Sequence, residues 1–480
     1  MSTSFPLSNY WAKFPSSYRA QEMTILTDWL VAGESGAVIG LPGAGRATLL
    51  GFLCHRLDVL RTVLADYDHP MVLVPVDLID LPDNNLATLY RAILRSFFEV
   101  QYQFDNSLQP LIHDLYRKTE AGRDPFLPQS ALRELLLVLQ AQEIRVALVM
   151  DRFDRFCQTA TPRMTNTLRG LRDSFKETLC YIVSLPQEIG YFSHLESVAP
   201  LRGILDTRVC WVGPLSESDA RHMIAYRTRR LAQPLSESTV VRLMAITGRY
   251  PSLIRVVCDY WKEMGETAVT DYPTTLFPKQ NVQHRLGEIW NGLTQEEQLL
   301  LFDLQLRQSR RNMPKDEASR RSPKSSTQGM SPSRDAFTNL AAKGLCYQNV
   351  DGDWQINGEL LFAYAGARAG HGRGRIWLDT GTGEIYQGIN VVESLQPLEH
   401  ALLQFLIQHP RTRHTHTTLI EAAWPDEILK DGVSTETLYQ AIRGIRKKIE
   451  PHPAEPCYLI NWRGQREGGY QLYPEGRPTG

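Results

Sequence analysis

The sequence predicts an α/β domain followed by two smaller modules that each combine helices with a β-hairpin. Three observations carry this reading. A short apolar run, "SGAVIG" (Ser35 to Gly40), leads into a glycine-rich turn and then into "ATLLGFLCHRL", whose apolar residues have helical spacing, so the order is strand, loop, helix. Two later apolar runs, "IRVALVMDRFDRF" and "TLCYIVSLP", read as further buried strands. The last hundred or so residues alternate short strand-like and helical segments and end in a hairpin, "CYLINWRGQREGGYQLYPEGRPTG".

A chain of 480 residues exceeds what one hydrophobic core usually supports, so more than one domain is expected. Hydrophobic residues make up 42% and charged residues 22%, which excludes wholesale disorder. The formal net charge of -1 leaves no bulk field toward nucleic acid or anionic lipid, so any such surface must be local. The N-terminal stretch has no basic flank followed by an apolar run. Nowhere do about 18 uncharged apolar residues follow one another, so export and membrane insertion are disfavoured. The seven cysteines are scattered without paired spacing, as reduced structural thiols are. The expectation is a cytoplasmic protein with no membrane partner.

The turn "GLPGAGRATLL" nearly spells a phosphate-binding loop, with altered side chains, where a glycine-rich loop by itself would be a plain turn. Gly40, Gly43 and Gly45 let the backbone curl so that amide groups point inward, and the start of the next helix adds its positive dipole end. Phosphate could therefore be cradled by backbone alone. The usual motif then places Lys, for the outer phosphates, and Ser or Thr, for magnesium. Here those places hold Arg46 and Ala47, with Thr48 one residue late. Arg46 keeps the charge on a longer planar head, and Ala47 cannot ligate a metal. Asp151 ends the second strand, where such folds put the carboxylate that holds the magnesium water shell; a capping or salt-bridged acid at a strand end would look the same. Arg152 stands where a water-activating acid would be, and a guanidinium cannot accept a proton at neutral pH. Ser184, near the end of the third run, is placed to sense a terminal phosphate.

In the order "YRAQEMTIL", degenerate Walker A loop, "LVMDRFD", sensor strand, "PLSESDA" and the glycine-x-proline region "GRYP", roughly residues 15 to 366 resemble the STAND branch of AAA+ NTPases, including origin-recognition-type relatives. The resemblance implies ATP or ADP as ligand, with magnesium poorly provided for, and implies that Pro251 packs near the adenine. It also implies a helical lid and then a winged helix, outlined by "IWNGLTQEEQLLLFDLQLR" and the hairpin around "VDGD". The segments read as a P-loop core at 1–212, a lid at 213–270, a winged helix at 275–366 interrupted by a flexible basic loop at 307–334, a linker at 367–375 and a C-terminal module at 376–475.

In that last module, Leu438, Ile442, Ile445 and Ile449 recur at helical spacing and define a core-facing stripe. Opposite lie Glu436, Gln440, Arg443 and Lys447, a face that mixes base-reading and phosphate-seeking groups. Thr437 and Tyr439 on the same helix, and Arg463 and Arg466 in the hairpin turn, complete the candidate DNA contacts. The same face on a generic helix would be a solvated surface without a partner. His414 and His416 lack a third ligand in reach by sequence, so no metal site is expected. Through "LEHALLQFLIQHP", "LIEAAWP", "TLYQAIRGIRKKI" and "YLINWRGQREGGYQL", residues 372 to 475 resemble the OmpR/PhoB-type winged-helix output domain. Gly444 departs from the pattern where many relatives carry a second Arg, and the wing is lengthened.

The resulting expectation is an α/β P-loop NTPase with a helical lid, then a winged helix, then an OmpR/PhoB-type winged helix-turn-helix. Functionally this is a regulator of transcription that binds double-stranded DNA, its P-loop module acting as a nucleotide-binding sensor or a self-association switch without turnover. Two rivals stand beside it: an active initiator-like NTPase in which Arg46 replaces Lys, and a signalling or defence assembly protein whose winged helices bind protein.

Overall fold

The computed structural model describes residues 10–65, 67, 69–79, 81–121, 126–191, 195–231, 233–265, 271–311, 334–370, 376–379, 382–387, 390–392, 394–424, 435–450, 453–463 and 468–477. The chain divides into two compact units, Met1–Gly292 with Ala342–Leu345 and Leu293–Ala341 with Cys346–Gly480.

The first unit is built on five parallel strands, β1 (Gly36–Ile39), β2 (Met71–Pro75), β3 (Arg145–Met150), β4 (Leu179–Leu185) and β5 (Val209–Trp211), in the order β2-β3-β4-β1-β5. The strands are almost wholly buried, as parallel strands covered by helices must be. Among the helices are α1 (Ala20–Ala32), α2 (Arg46–His55), α3 (Leu57–Val63), α4 (Leu86–Glu99), α5 (Leu108–Ala121), α6 (Phe126–Ala141), α7 (Phe153–Thr159), α8 (Pro162–Ser174) and α9 (Leu195–Leu205). The apolar faces of α4 to α9 and the strands share one large core that includes Val74, Leu89, Leu135, Leu148, Phe156 and Val183. The order leaves β4 between β1 and β3. Ser184 in β4 therefore lies between the loop that follows β1 and Asp151 at the end of β3.

Beyond β5, α10 (Glu217–Thr228), α11 (Glu237–Thr247), α12 (Pro251–Met264) and α13 (Gln280–Asn291) form the helical part of this unit. Local chemistry sets their starts. The Ser216 and Ser236 hydroxyls accept from the amides of Asp219 and Thr239 at 3.1 and 3.2 Å, and α12 opens with Pro251 at its first turn. Gly248 ends α11 in the left-handed region, φ 58°.

In the second unit, α14 (Gln295–Arg311), α15 (Arg334–Ala342), the antiparallel pair β6 (Cys346–Gln348) and β7 (Trp354–Ile356), and α16 (Glu359–Gly370) follow one another. Two expected boundaries move. Residues 307–311 are the last turn of α14 and residues 367–370 the last turn of α16, because the helical pattern runs on past the polar residues used to mark its end. Residues 312–333 of the expected loop and 371–375 of the expected linker lie outside the described residues.

The C-terminal part has an antiparallel sheet of β8 (Ile376–Leu378), β9 (Ile385–Gln387) and β10 (Asn390–Val391). Among the described residues three helices follow, α17 (Pro397–Gln408), α18 (His416–Ala423) and α19 (Thr435–Ile449), with β11 (His414–Thr415), β12 (Leu459–Arg463) and β13 (Gly468–Leu472) in a second sheet ordered β11-β13-β12. Leu402, Leu406, Leu419, Leu438, Ile442, Ile445, Tyr458 and Leu472 meet in its core. The turn from α19 into β12 is tied by Glu450, fully buried, whose carboxylate accepts amides from Cys457, Tyr458 and Leu459 at 2.7 to 3.1 Å.

Candidate functional site

The loop between β1 and α2 turns through left-handed conformations at Gly43 (φ 81°) and Gly45 (φ 96°), which only glycine adopts without strain. Gly40 serves differently: a Cβ there would stand 2.5 Å from the Val212 carbonyl. Of the sequence-predicted residues, the structure brings Gly43, Gly45, Arg46, Thr48, Asp151 and Pro251 to one cleft of about 380 Å³. Lys13, Phe14, Tyr18, Asp219, Ser252 and Arg255 line it as well.

The helical part presses on the loop. The Ser252 amide donates to the Gly43 carbonyl at 3.2 Å, and the Ser252 Oγ lies 2.3 Å from where a Gly43 Cβ would be. The Pro251 Cγ is 3.7 Å from the corresponding position on Gly45. The His222 ring donates to the Lys13 carbonyl at 2.7 Å, tying the N-terminal segment to α10.

Arg19 went unnoticed in the sequence and is central here. It is 2% exposed and caps α1 in a left-handed conformation, φ 51°. Its Nη2 donates to the Ala44 carbonyl at 2.6 Å and to the Gly213 carbonyl at 2.9 Å, its Nη1 meets the Glu22 carboxylate at 2.5 Å, and its amide donates to Asp219 Oδ2 at 3.0 Å. The side chain thus joins phosphate loop and strand exit, and the backbone amide of the same residue ties both to the lid. The signal in the sequence was a lone Arg in "YRAQE", whose partner Asp219 is 200 residues away.

The three residues expected at the far end of the phosphate chain meet, but in another arrangement. The Ser184 hydroxyl is fully buried, donates to Asp151 Oδ1 at 2.5 Å and accepts the Arg152 amide at 2.9 Å. Both of its bonding directions are used, so Ser184 positions Asp151 rather than offering a donor to phosphate. This corrects the sensing role given to it from sequence. Arg152 sits at φ 51°, its guanidinium largely exposed and its Nε 3.8 Å from Asp151 Oδ2. Where a water-activating acid would stand there is a cation facing the carboxylate.

Arg46 is mostly enclosed. Burial pulls its guanidinium below the ordinary range, and the charges of Asp154 and Asp151 oppose that shift. Its Nη1 is buried without a hydrogen-bond partner, as are Ser252 Oγ, Tyr250 Oη and Asp154 Oδ1. Asp154 carried no role in the sequence reading, although it lies in "DRFD". Among the described residues, no group of three or more His, Cys, Asp or Glu is placed to hold a metal ion, and no helix is long and apolar enough to cross a membrane.

In the C-terminal part, α19 buries Leu438, Ala441, Ile442, Ile445 and Ile449. Glu436, Thr437, Tyr439, Gln440, Arg443 and Lys447 are all exposed on its other side. Among the described residues, Arg443 and Lys447 enter none of the ion pairs. Arg446 turns inward: its Nε and Nη2 donate to the Leu459 carbonyl at 3.1 and 2.5 Å, and Nη2 also reaches Asn461. Arg463 ends β12 and is exposed. Arg466 lies outside the described residues. Gly444 has a reason the sequence did not show: a Cβ there would stand 1.9 Å from Glu399 Oε1. That carboxylate caps α17 through the Gln396 amide at 2.8 Å and pairs with Lys448.

A module of this shape, with a basic face on its third helix and a hairpin beside it, defines a winged helix-turn-helix. Residues 391–472 match the family model described as transcriptional regulatory protein, C terminal. A probable transcriptional regulatory protein of Picosynechococcus sp. is 39% identical over 71 residues, 15% of this chain and 27% of that protein. The alkaline phosphatase synthesis transcriptional regulatory protein SphR of Synechococcus elongatus is 35% identical over 79 residues, 16% of this chain and 28% of that protein. The matched stretch therefore spans just over a quarter of the length of these curated relatives. Among solved structures, the Walker-type ATPase of Pyrococcus abyssi aligns with 72% of this chain and 95% of its own at 13% identity and TM-score 0.40. The ORC1 protein of Aeropyrum pernix in complex with DNA aligns with 75% and 94% at 13% identity and TM-score 0.35. Neither of these two likenesses bears on this chain's chemistry.

Proposed function

We propose that this chain is a transcription regulator that binds double-stranded DNA through α19 and the adjoining wing, with the P-loop unit as a nucleotide-binding sensor that does not turn nucleotide over. The observation that carries the reading is the outward face of α19, where Gln440 and Arg443 stand beside Lys447, opposite a fully buried apolar stripe. An amide and a guanidinium can pair bidentately with adenine and guanine edges, and an ammonium suits phosphate. The match of residues 391–472 to a transcriptional regulatory family supports the same output.

The input reading rests on the left-handed loop at Gly43 and Gly45 before α2, with Pro251 against it. The ligand is ATP or ADP. Absence of turnover follows from Arg152 in place of an acid and Ala47 in place of a hydroxyl. The site residues in this reading are Gly40, Gly43, Gly45, Arg46, Thr48 and Pro251 for nucleotide, with Asp151 and Ser184 behind them, and Thr437, Tyr439, Gln440, Arg443, Lys447, Arg463 and Arg466 for DNA.

Selection of bound fragments from genomic DNA, with and without ATP, tests the proposal. Recovery of one shared sequence motif, with a steep salt dependence of binding, is expected. Recovery of no enriched motif would shift the output to protein recognition.

A further inference from the structure

We infer that the P-loop unit binds the phosphate chain of a nucleotide without a divalent cation, its charge being met by Arg46 and the loop amides. The inference rests on the nucleotide-binding reading above and specifies how the site works.

A magnesium ion in such a site needs a hydroxyl or carboxylate and phosphate oxygens, with water completing an octahedron. The residues present do not fit that requirement. Ala47 supplies a methyl group where the hydroxyl would be. Asp151 is already engaged on both oxygens, by the Ser184 hydroxyl at 2.5 Å and by Arg152 Nε at 3.8 Å. A cation placed beside it would meet the Arg152 guanidinium.

In the same neighbourhood two donors lining the cleft lack an acceptor, beside an unpartnered acceptor, Asp154 Oδ1. Arg46 Nη1 and Ser252 Oγ are buried and unpartnered, and Ser252, only 9% exposed, lines the cleft against Gly43. Buried polar groups are nearly always satisfied in native proteins, so these donors point to an oxygen-rich anion between them. The loop up to Gly45 and the start of α2 add backbone amides and the positive end of a ten-residue helix. A guanidinium can bridge two phosphate oxygens with two parallel bonds, which one ammonium cannot.

Charge balance agrees. Six basic side chains line the cleft and two acidic ones, Asp151 and Asp219. Two of the six are neutralised locally, Arg227 by Asp259 and Arg285 by Glu288, each at 2.6 Å. With Asp151 and Asp219 counted, two positive charges of the lining remain, which offset part of a metal-free phosphate chain and leave the rest to the loop amides and the start of α2.

The test is titration calorimetry of the full chain with ADP and with ATP, once in magnesium and once in EDTA. Affinities that agree within about threefold between the two conditions are expected. Arg46→Gln, which removes the charge and shortens the side chain while keeping its aliphatic stem and a polar end, should weaken both titrations by about tenfold or more, while the thermal midpoint of the free protein stays where it was. Binding weakened about tenfold or more by EDTA would overturn the inference and leave the nucleotide reading standing. Unchanged affinity in Arg46→Gln would remove Arg46 from the role. Absence of binding in both conditions would overturn the nucleotide reading and the inference with it.

Discussion

Arg19 and Ala44 are joined by a 2.6 Å hydrogen bond from guanidinium to carbonyl, so the floor of the phosphate loop is held by a residue outside the motif. Arg19 also holds the Gly213 carbonyl and, through its amide, Asp219. Arg19→Ala would leave the Ala44 and Gly213 carbonyls and the Glu22 carboxylate without their guanidinium partner, while the amide bond to Asp219 is kept. A destabilisation of about 3 kcal/mol or more is expected, as for breaking one side of a buried pair. Urea unfolding followed by circular dichroism measures it, and a midpoint equal to that of the parent protein would show that the Arg19 ties carry no net weight.

Turnover should be absent from the parent protein. Release of phosphate from ATP in magnesium should not exceed a blank. Arg46→Lys, Ala47→Thr and Arg152→Glu together should raise it, since they supply the missing charge geometry, metal ligand and base. Steady hydrolysis by the unmodified chain would rule out the sensor-only reading.

At the DNA face, Arg443→Ala should weaken binding to the selected sequence by about 1–3 kcal/mol and relax the preference at one base pair. Lys447→Ala should weaken all sequences alike and flatten the salt slope by about one unit. Gel shifts across a salt series separate the two. If Gln440→Ala with Arg443→Ala leaves sequence preference intact, α19 is not the reading element.

Gly444 and Glu399 give a stability prediction. Gly444→Ala drives a methyl group into the Glu399 carboxylate, disturbing both the cap of α17 and the Lys448 pair. A loss of about 1–3 kcal/mol from overpacking is expected despite alanine's better helix propensity. Hydrogen exchange of α17 and α19 reads it, and slower exchange than in the parent would contradict the packing argument.

His414 makes the C-terminal sheet acid-sensitive. Its ring is 7% exposed and its Nε2 has no partner. Burial lowers its pKa below the ordinary value, with the nearby His409 modulating the shift. A lowered folded value means that protonation favours the unfolded state. The stabilisation is present above about pH 6.5, the value for an exposed histidine, and is lost as pH falls through the folded value. Exchange of the β11 and β13 amides should quicken between about pH 7.5 and pH 5 beyond the intrinsic trend, and His414→Phe should remove most of that excess.

Much of this was legible in the chain itself, for reasons that differ by residue. The glycines of the loop and the apolar stripe of α19 are local patterns, and local periodicity and turn chemistry suffice to read them. Ser184 and Asp151 are 33 residues apart, and their bond exists only because β4 lies beside β3. The same holds for Arg19 with Asp219, and for Glu450, whose three amide partners depend on how β12 returns under α19. Gly444 looked like a departure from a basic pattern. Its cause is a carboxylate on another helix, which no spacing rule reveals.

The Arg446 guanidinium binds α19 to the Leu459 carbonyl and Asn461, which makes helix and wing a calliper of fixed opening. The span between whatever α19 grips and whatever Arg463 reaches is then set by protein. A duplex lengthened by one base pair between those points displaces one contact by about 3.4 Å along the axis and carries it about 35° around the helix. The calliper does not stretch to follow. Such an insertion should abolish the wing's contribution outright, whereas pyrimidine–purine steps in the same interval, which bend readily, should be tolerated or preferred without being touched.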